Sequence, residues 1–265
     1  INNLRFQAGE REDYAEAIKW SKKLRELESE LFDEYTHNEY IQNYINQSNL
    51  DCIELYNKGK YYLSDLDVKD IELAEAFIIA SAEKGYVLAQ EKLCFEYYSG
   101  SNFIKDFQKS AYWGDKAFEQ GSMIVRFRIA WLYCGKGNVA PDYEKSFKLY
   151  EALAQEGDAA AMNNLGWMYE SGHYHSDLKK AYECYLKAAE MGDSHSMCNV
   201  GNCYINGIGT DKNISEAKKL ILEGISVYKD KADCSVLALY AYFALTKEEG
   251  FSTELAKEYL SKDSS

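Results

Sequence analysis

The chain has 265 residues, 46% of them hydrophobic and 28% charged, which is the balance of a folded globular protein rather than a disordered one. Its formal net charge of −13 argues against a nucleic-acid binder, because phosphate backbones are held by clustered Lys and Arg, and it favours fast association with a basic partner. A single proline, Pro141, points to helix, and no stretch approaches the roughly 20 apolar residues that a membrane-spanning helix needs.

In chain order, the first 47 residues read as an N-terminal helical segment. Tyr14-Ala15-Glu16-Ala17-Ile18-Lys19-Trp20 has the pattern of the second helix of a hairpin, and residues 25–47, starting Arg25-Glu26-Leu27, read as a longer linking helix. Ile1 in place of an initiator methionine implies that something upstream has been cut away.

From residue 48 the chain repeats. The segment 48–85 is the loosest unit: Tyr56, Gly59, Ala74, Ala76, Ala80 and Gly85 fit the pattern with Ser64–Glu72 as an insertion. The following units, 86–121, 122–157, 158–192 and 193–224, are regular, and 225–265 reads as a divergent last repeat running through Ala232, Val236, Tyr240, Ala256 and Leu260. Gly85, Gly121, Gly157 and Gly192 lie 36, 36 and 35 residues apart, each after an apolar run. A glycine there caps a helix, because only glycine takes the left-handed conformation without a Cβ penalty.

Each glycine is followed by one pattern. Ala89, Leu93, Cys94, Tyr97 and Gly100 share their spacing with Ala161, Leu165, Gly166, Tyr169 and Gly172, and with Ser196, Val200, Gly201, Tyr204 and Gly207. Counting the first residue as position 0, the others stand at +4, +5, +8 and +11; positions 0, +4, +5 and +8 share one helix face. The small residue at +5 admits a close helix, and the tyrosine at +8 fills the gap. A glycine-containing loop leads to a second helix with its own apolar stripe: Leu178, Ala181, Tyr182, Tyr185, Leu186, Ala188 and Ala189 in one unit, Phe107, Ser110, Ala111, Trp113 and Ala117 upstream, Ile214, Ala217, Leu220 and Ile221 downstream. Such a hairpin cannot bury its apolar faces alone and must stack on its neighbours.

The run Ala161-x-x-x-Leu165-Gly166-x-x-Tyr169-x-x-Gly172, followed by Lys180-Ala181, Tyr185, Lys187-Ala188-Ala189-Glu190 and Gly192-Asp193, resembles the Sel-one-like repeat. The resemblance implies an all-α fold, a right-handed α/α superhelical solenoid of about five to six helix-turn-helix repeats. It further implies an adaptor, scaffold or capture surface for other proteins. The repeat motif is structural and brings no catalytic residue or cofactor with it. The tetratricopeptide repeat is similar, but its repeat-end prolines are absent here.

In stacked hairpins the first helices line the concave side, so positions −1, +2, +3, +6 and +10 are expected to face a groove. Position +6 reads Phe95, Trp131, Trp167, Asn202; positions +2 and +3 supply Phe127, Arg128, Asn163, Asn164, Cys198 and Asn199. Aromatic residues and arginine dominate binding hot spots, and asparagine amides suit the backbone of a bound extended segment. The partner-binding set expected on this face is Phe95, Phe127, Arg128, Trp131, Asn163, Asn164, Trp167, Asn199 and Asn202. Packing between neighbouring first helices is the competing account of the aromatic ladder.

Chemical alternatives are weak in the sequence. His173-x-His175-x-Asp177 lacks the third and fourth ligands of a zinc site, so no metal is expected. His195 with Cys198 has the spacing of a nucleophile pair without an orienting acid. Gly207-Ile208-Gly209-Thr210-Asp211 lacks the lysine of a phosphate loop. Penicillin binding, once linked to some bacterial members of the family, would need motifs that do not accompany Ser215-Glu216-Ala217-Lys218. Seven cysteines, an odd number with no C-x-x-C pair, point to a reducing compartment, the cytoplasm, with a periplasmic or secreted location left open. The expectation is a non-enzymatic scaffold without cofactor, binding another protein and neither nucleic acid nor membrane. An inhibitor or immunity protein that covers a basic toxin or nuclease is the alternative, and a cell-wall or β-lactam hydrolase a remote one.

Overall fold

The computed structural model describes residues 34–64, 69–135 and 137–227, and every regular element among them is an α-helix. In chain order these are α1 (Glu34–Gln47), α2 (Cys52–Ser64), α3 (Ile71–Glu83), α4 (Val87–Ser99), α5 (Phe107–Glu119), α6 (Arg126–Tyr133), α7 (Tyr143–Gln155), α8 (Ala159–Ser171), α9 (Leu178–Glu190), α10 (Ser194–Asn206) and α11 (Ile214–Val227). From α2 to α10 every helix but the 8-residue α6 has 13 residues, about 20 Å, so the helices match in length. The Tyr14–Trp20 helix, residues 25–33 of the linking helix and the tail beyond Val227 lie outside the described residues.

The chain divides into two compact units, one ending at Val125 and one starting at Arg126. In the first unit, α2 and α3 form one hairpin and α4 and α5 another. The described part of the linking helix, α1, lays Ile41 and Ile45 against a core made by Leu55 and Tyr62 of α2 and Ala74 and Phe77 of α3. In the second unit the hairpins are α6–α7, α8–α9 and α10–α11.

Each hairpin is closed in the same way. The backbone N–H of the residue capping the second helix donates to the carbonyl of a tyrosine near the end of the first: Asp70 to Tyr62, Asp106 to Tyr97, Asp142 to Tyr133, Asp177 to Tyr169 and Asn213 to Tyr204, all at 2.9–3.1 Å. The cap side chain then accepts a backbone N–H of the second helix's first turn, as Asp177 does from Lys180 at 3.0 Å. In three hairpins the lysine of that turn lies over the tyrosine ring, at 5.0 Å for Lys109 on Tyr97, 4.4 Å for Lys145 on Tyr133 and 5.4 Å for Lys180 on Tyr169.

The glycine caps behave as the spacing predicts: Gly85, Gly121, Gly157 and Gly192 all have φ between +86° and +92°. So does the small residue at +5. A Cβ added to Gly166 would stand 2.8 Å from the Tyr185 ring, and one on Gly201 would stand 2.5 Å from Ile221 Cγ1. The inward positions are buried as expected, except that Tyr133 and Tyr204 are half-exposed.

Three expectations are corrected. Gly59 is not a loop glycine after Tyr56: it is buried in mid-helix against Ile78, as Gly201 is against Ile221, and the hairpin tyrosine is Tyr62. The loop after α2 is then of ordinary length and Ser64–Glu72 is no insertion. Leu178 does not belong to the buried stripe of α9; it is the first residue of the helix and is 46% exposed. Position +7, left out of the predicted inward face, is buried in four hairpins through Glu96, Leu132, Met168 and Cys203. Seven residues bring a helix back to within about 20° of position 0, so this position belongs to the same face.

Replacing Gly166 by Ala is expected to lower stability by about 1–3 kcal/mol, although Ala is the better helix former, because the new methyl meets a buried ring. Urea denaturation of the variant beside wild type checks this.

Candidate partner-binding face

The first helices bury one face in their hairpins and leave the other half-exposed. Phe95, Phe127, Arg128, Trp131, Asn163, Asn164, Trp167, Asn199 and Asn202 are all half-buried: none is in the core and none is fully exposed. Phe95 lies on α4 in the first unit; the other eight lie on α6, α8 and α10 in the second. Cys198, expected on the same face, is 3% exposed. It occupies position +2, the flank from which Asn163 reaches the next first helix, and a small apolar side chain disappears there.

The rings at this face are held by their own unit. Phe127 meets Tyr150 of α7 edge to face, with centroids 5.7 Å apart and planes at 75°. Trp167 stands 5.7 Å from His173 in the loop after α8, at 51°. His173 in turn lies flat on Tyr143 at 4.5 Å and 6°. His175 of the same loop goes elsewhere, 5.5 Å from Phe147 and 4.1 Å from Tyr174. The two histidine rings therefore serve as packing surfaces, and no group of three His, Cys, Asp or Glu suited to a metal occurs among the described residues.

The asparagines are joined to one another across helices. Asn163 Oδ1 accepts from Asn199 Nδ2 at 2.8 Å and from Ser196 Oγ at 2.9 Å, linking α8 to α10. Asn164 Nδ2 donates to the Ala160 carbonyl at 2.8 Å, and Asn206 Nδ2 donates to Asn202 Oδ1 at 2.7 Å. Their amides are thus fixed in direction, which lowers the ordering cost of a further hydrogen bond to a partner.

In the first unit the inward face, at position +7, carries a buried carboxylate. Glu96, 5% exposed, pairs with Lys92 at 2.6 Å and accepts the Asn102 backbone N–H at 3.1 Å and its side-chain amide at 3.0 and 3.1 Å. Burial by itself raises its pKa, but the bonds from Lys92 and Asn102 outweigh burial and hold the carboxyl below the usual range. This side chain ties Asn102 of the loop to α4, beside the Ser101–Ser99 bonds and the Phe103–Tyr97 ring contact.

Two of the thiols are held protonated by burial. Cys203 is fully buried, and burial pushes its thiol up to about 12; burial also raises that of Cys184. Such thiols stay protonated and unreactive. Cys198 is buried beside a half-exposed His195, so the spacing that suggested a pair leaves the sulfur out of solvent reach.

An array of near-equal helical hairpins with a half-exposed first-helix face is a helical-repeat scaffold. The Sel1 repeat matches residues 5–29, 87–122, 127–158, 159–193 and 194–225, more than half of the chain, and the protein belongs to the Sel1 repeat family. Sel1 repeat proteins are in general scaffolds for protein–protein interaction. The fold is similar to that of a Sel1 repeat protein from Oxalobacter formigenes, with TM-score 0.63 and 21% identity over 86% of this chain and 92% of that one. It is also similar to a protective antigen of uropathogenic Escherichia coli displaying an SLR fold, with TM-score 0.52 and 22% identity over 94% of this chain and 60% of that one. No curated protein matches the chain. Among the described residues no helix is long and apolar enough to cross a membrane.

Two outcomes follow from these bonds. Glu96→Gln should destabilise the protein at neutral pH. The folded carboxyl titrates below its unfolded value, so its contribution is present above the unfolded pKa and fades as pH falls through the folded one. The stability gap between wild type and variant should therefore close in acid, as thermal melts across a pH series would show. Asn163→Ala removes the acceptor of Asn199 and one of the two acceptors of Ser196, which keeps Asp193, and should cost about 1 kcal/mol, read by urea denaturation.

Proposed function

We propose that the protein is a non-enzymatic adaptor that holds another protein on the concave face of its first helices. The observation that carries this reading is the half-exposed set on α6, α8 and α10: two tryptophans, a phenylalanine, an arginine and amides locked to one another. A repeat helix needs one face for its hairpin and a flank for its neighbour. It does not need large aromatics on the side left over, where they retain access to solvent. Trp and Arg are the residues that carry most binding energy when a partner desolvates them. Family membership supports the same reading, since the fold's general use is interaction.

The charge supports a basic partner. At −13 the chain accelerates encounter with a positively charged protein, and a toxin or nuclease whose active site is occluded is one such partner. Binding of that kind would weaken as salt is raised.

The test is a pull-down from the native host with wild type and a Trp131→Ala/Trp167→Ala variant, both checked for helicity by circular dichroism. A protein captured by wild type should be lost with the variant, each truncation costing about 2 kcal/mol or roughly 30-fold in Kd. Equal capture by both would refute the face. The partner's net charge, and the salt dependence of its Kd, separate an inhibitor of a basic toxin from a general adaptor.

A further inference from the structure

The loop after α8 makes contacts that serve neither its own hairpin closure nor a helix cap. Hairpin closure there is completed by Asp177 and Tyr169, and capping by Gly172, whose N–H donates to the Met168 carbonyl. Neither task uses His173. Its ring nevertheless has two aromatic neighbours from two different hairpins: Tyr143, in the first turn of α7, lies under it face to face, and Trp167, in the last turns of α8, leans on it. His173 itself is exposed, while Trp167 and Tyr143 are half-buried.

We infer that His173 is a positioning residue of the partner-binding face: it fixes the angle of the Trp167 indole by resting on Tyr143, and it extends the aromatic surface over the loop edge. This rests on the adaptor reading for its purpose, but not for its geometry. A half-exposed indole on a solvent face has several rotamers within reach. A flat ring wedged at 51° beside it removes some of them, and the wedge is itself immobilised by stacking on Tyr143 at 4.5 Å. The anchor is then ordered before a partner arrives, so the partner does not bear that ordering cost. His175, two residues on, provides the internal control. It packs on Phe147 and Tyr174, so its loss disturbs the same loop without touching the Trp167–His173 contact.

The readout is the indole N–H signal of Trp167 in a proton–nitrogen NMR spectrum, assigned by its disappearance in Trp167→Phe. His173→Ala should shift and broaden that signal, His173→Phe should keep it sharp because a flat ring is restored, and His175→Ala should leave it in place. An unchanged signal in His173→Ala, or an equal change in His175→Ala, overturns the inference whatever the protein binds. With the partner from the pull-down in hand, His173→Ala should weaken binding about 3- to 10-fold and His173→Phe should recover it. In a double-mutant cycle the loss from His173→Ala should vanish in a Trp167→Ala background, and full additivity would overturn the positioning role. If the Trp131→Ala/Trp167→Ala variant loses no partner, the adaptor reading falls while the NMR result still decides the geometry.

Discussion

Everything in this molecule depends on one backbone hydrogen bond repeated five times among the described residues, from the N–H of the second helix's cap to the carbonyl of the first helix's tyrosine. It sets where the second helix starts relative to the end of the first. With that fixed, the cap side chain closes the first turn and the tyrosine side chain is placed at the joint to the previous hairpin. There its partners are Glu75 for the Tyr97 hydroxyl, Phe147 at 5.2 Å for Tyr169 and Tyr182 for the Tyr204 hydroxyl at 2.9 Å. The tyrosine therefore serves twice, by its backbone within a hairpin and by its ring or hydroxyl between hairpins.

The second constraint is the close approach at position +5. Gly59, Gly166 and Gly201 each sit where a Cβ would collide with a large side chain of the second helix, respectively Ile78, Tyr185 and Ile221. In the hairpins that lack the glycine, position +5 is Cys94 or Ala130, and a serine of the second helix donates to its carbonyl at 2.7 Å, from Ser110 and Ser146. Helix contact is thus achieved by shape in some repeats and by a hydrogen bond in others. Both leave the opposite face of the first helix only half-buried.

Much of this was legible in the sequence, because glycine spacing and the 3.6-residue period are strong local signals. Gly85, Gly121, Gly157 and Gly192 gave the register, and Gly166 and Gly201 gave the close approach. The first hairpin was misread because Tyr56-x-x-Gly59 copies the spacing of Tyr169-x-x-Gly172, while the true counterparts, Gly59 and Tyr62, copy Gly166 and Tyr169. Two alignments compete there, and only burial chooses between them. Glu96, Leu132, Met168 and Cys203 escaped notice because the position varies in chemistry from a charge to a thioether, although its geometry is constant. The bonds of Asn163 to Asn199 and Ser196 join residues more than 30 positions apart and could not be read from local pattern. The same holds for His173, which the sequence pattern leaves without a role and which in space is a ring between Tyr143 and Trp167.

The central claim is that the first-helix face is the working surface. Photo-crosslinking in living host cells tests it most directly, with p-benzoylphenylalanine placed once at exposed Ala160 on the edge of α8 and once at exposed Lys148 on α7, a second helix. The account predicts a discrete adduct to one protein from the first position and none from the second. An adduct from Lys148 with none from Ala160 would contradict it.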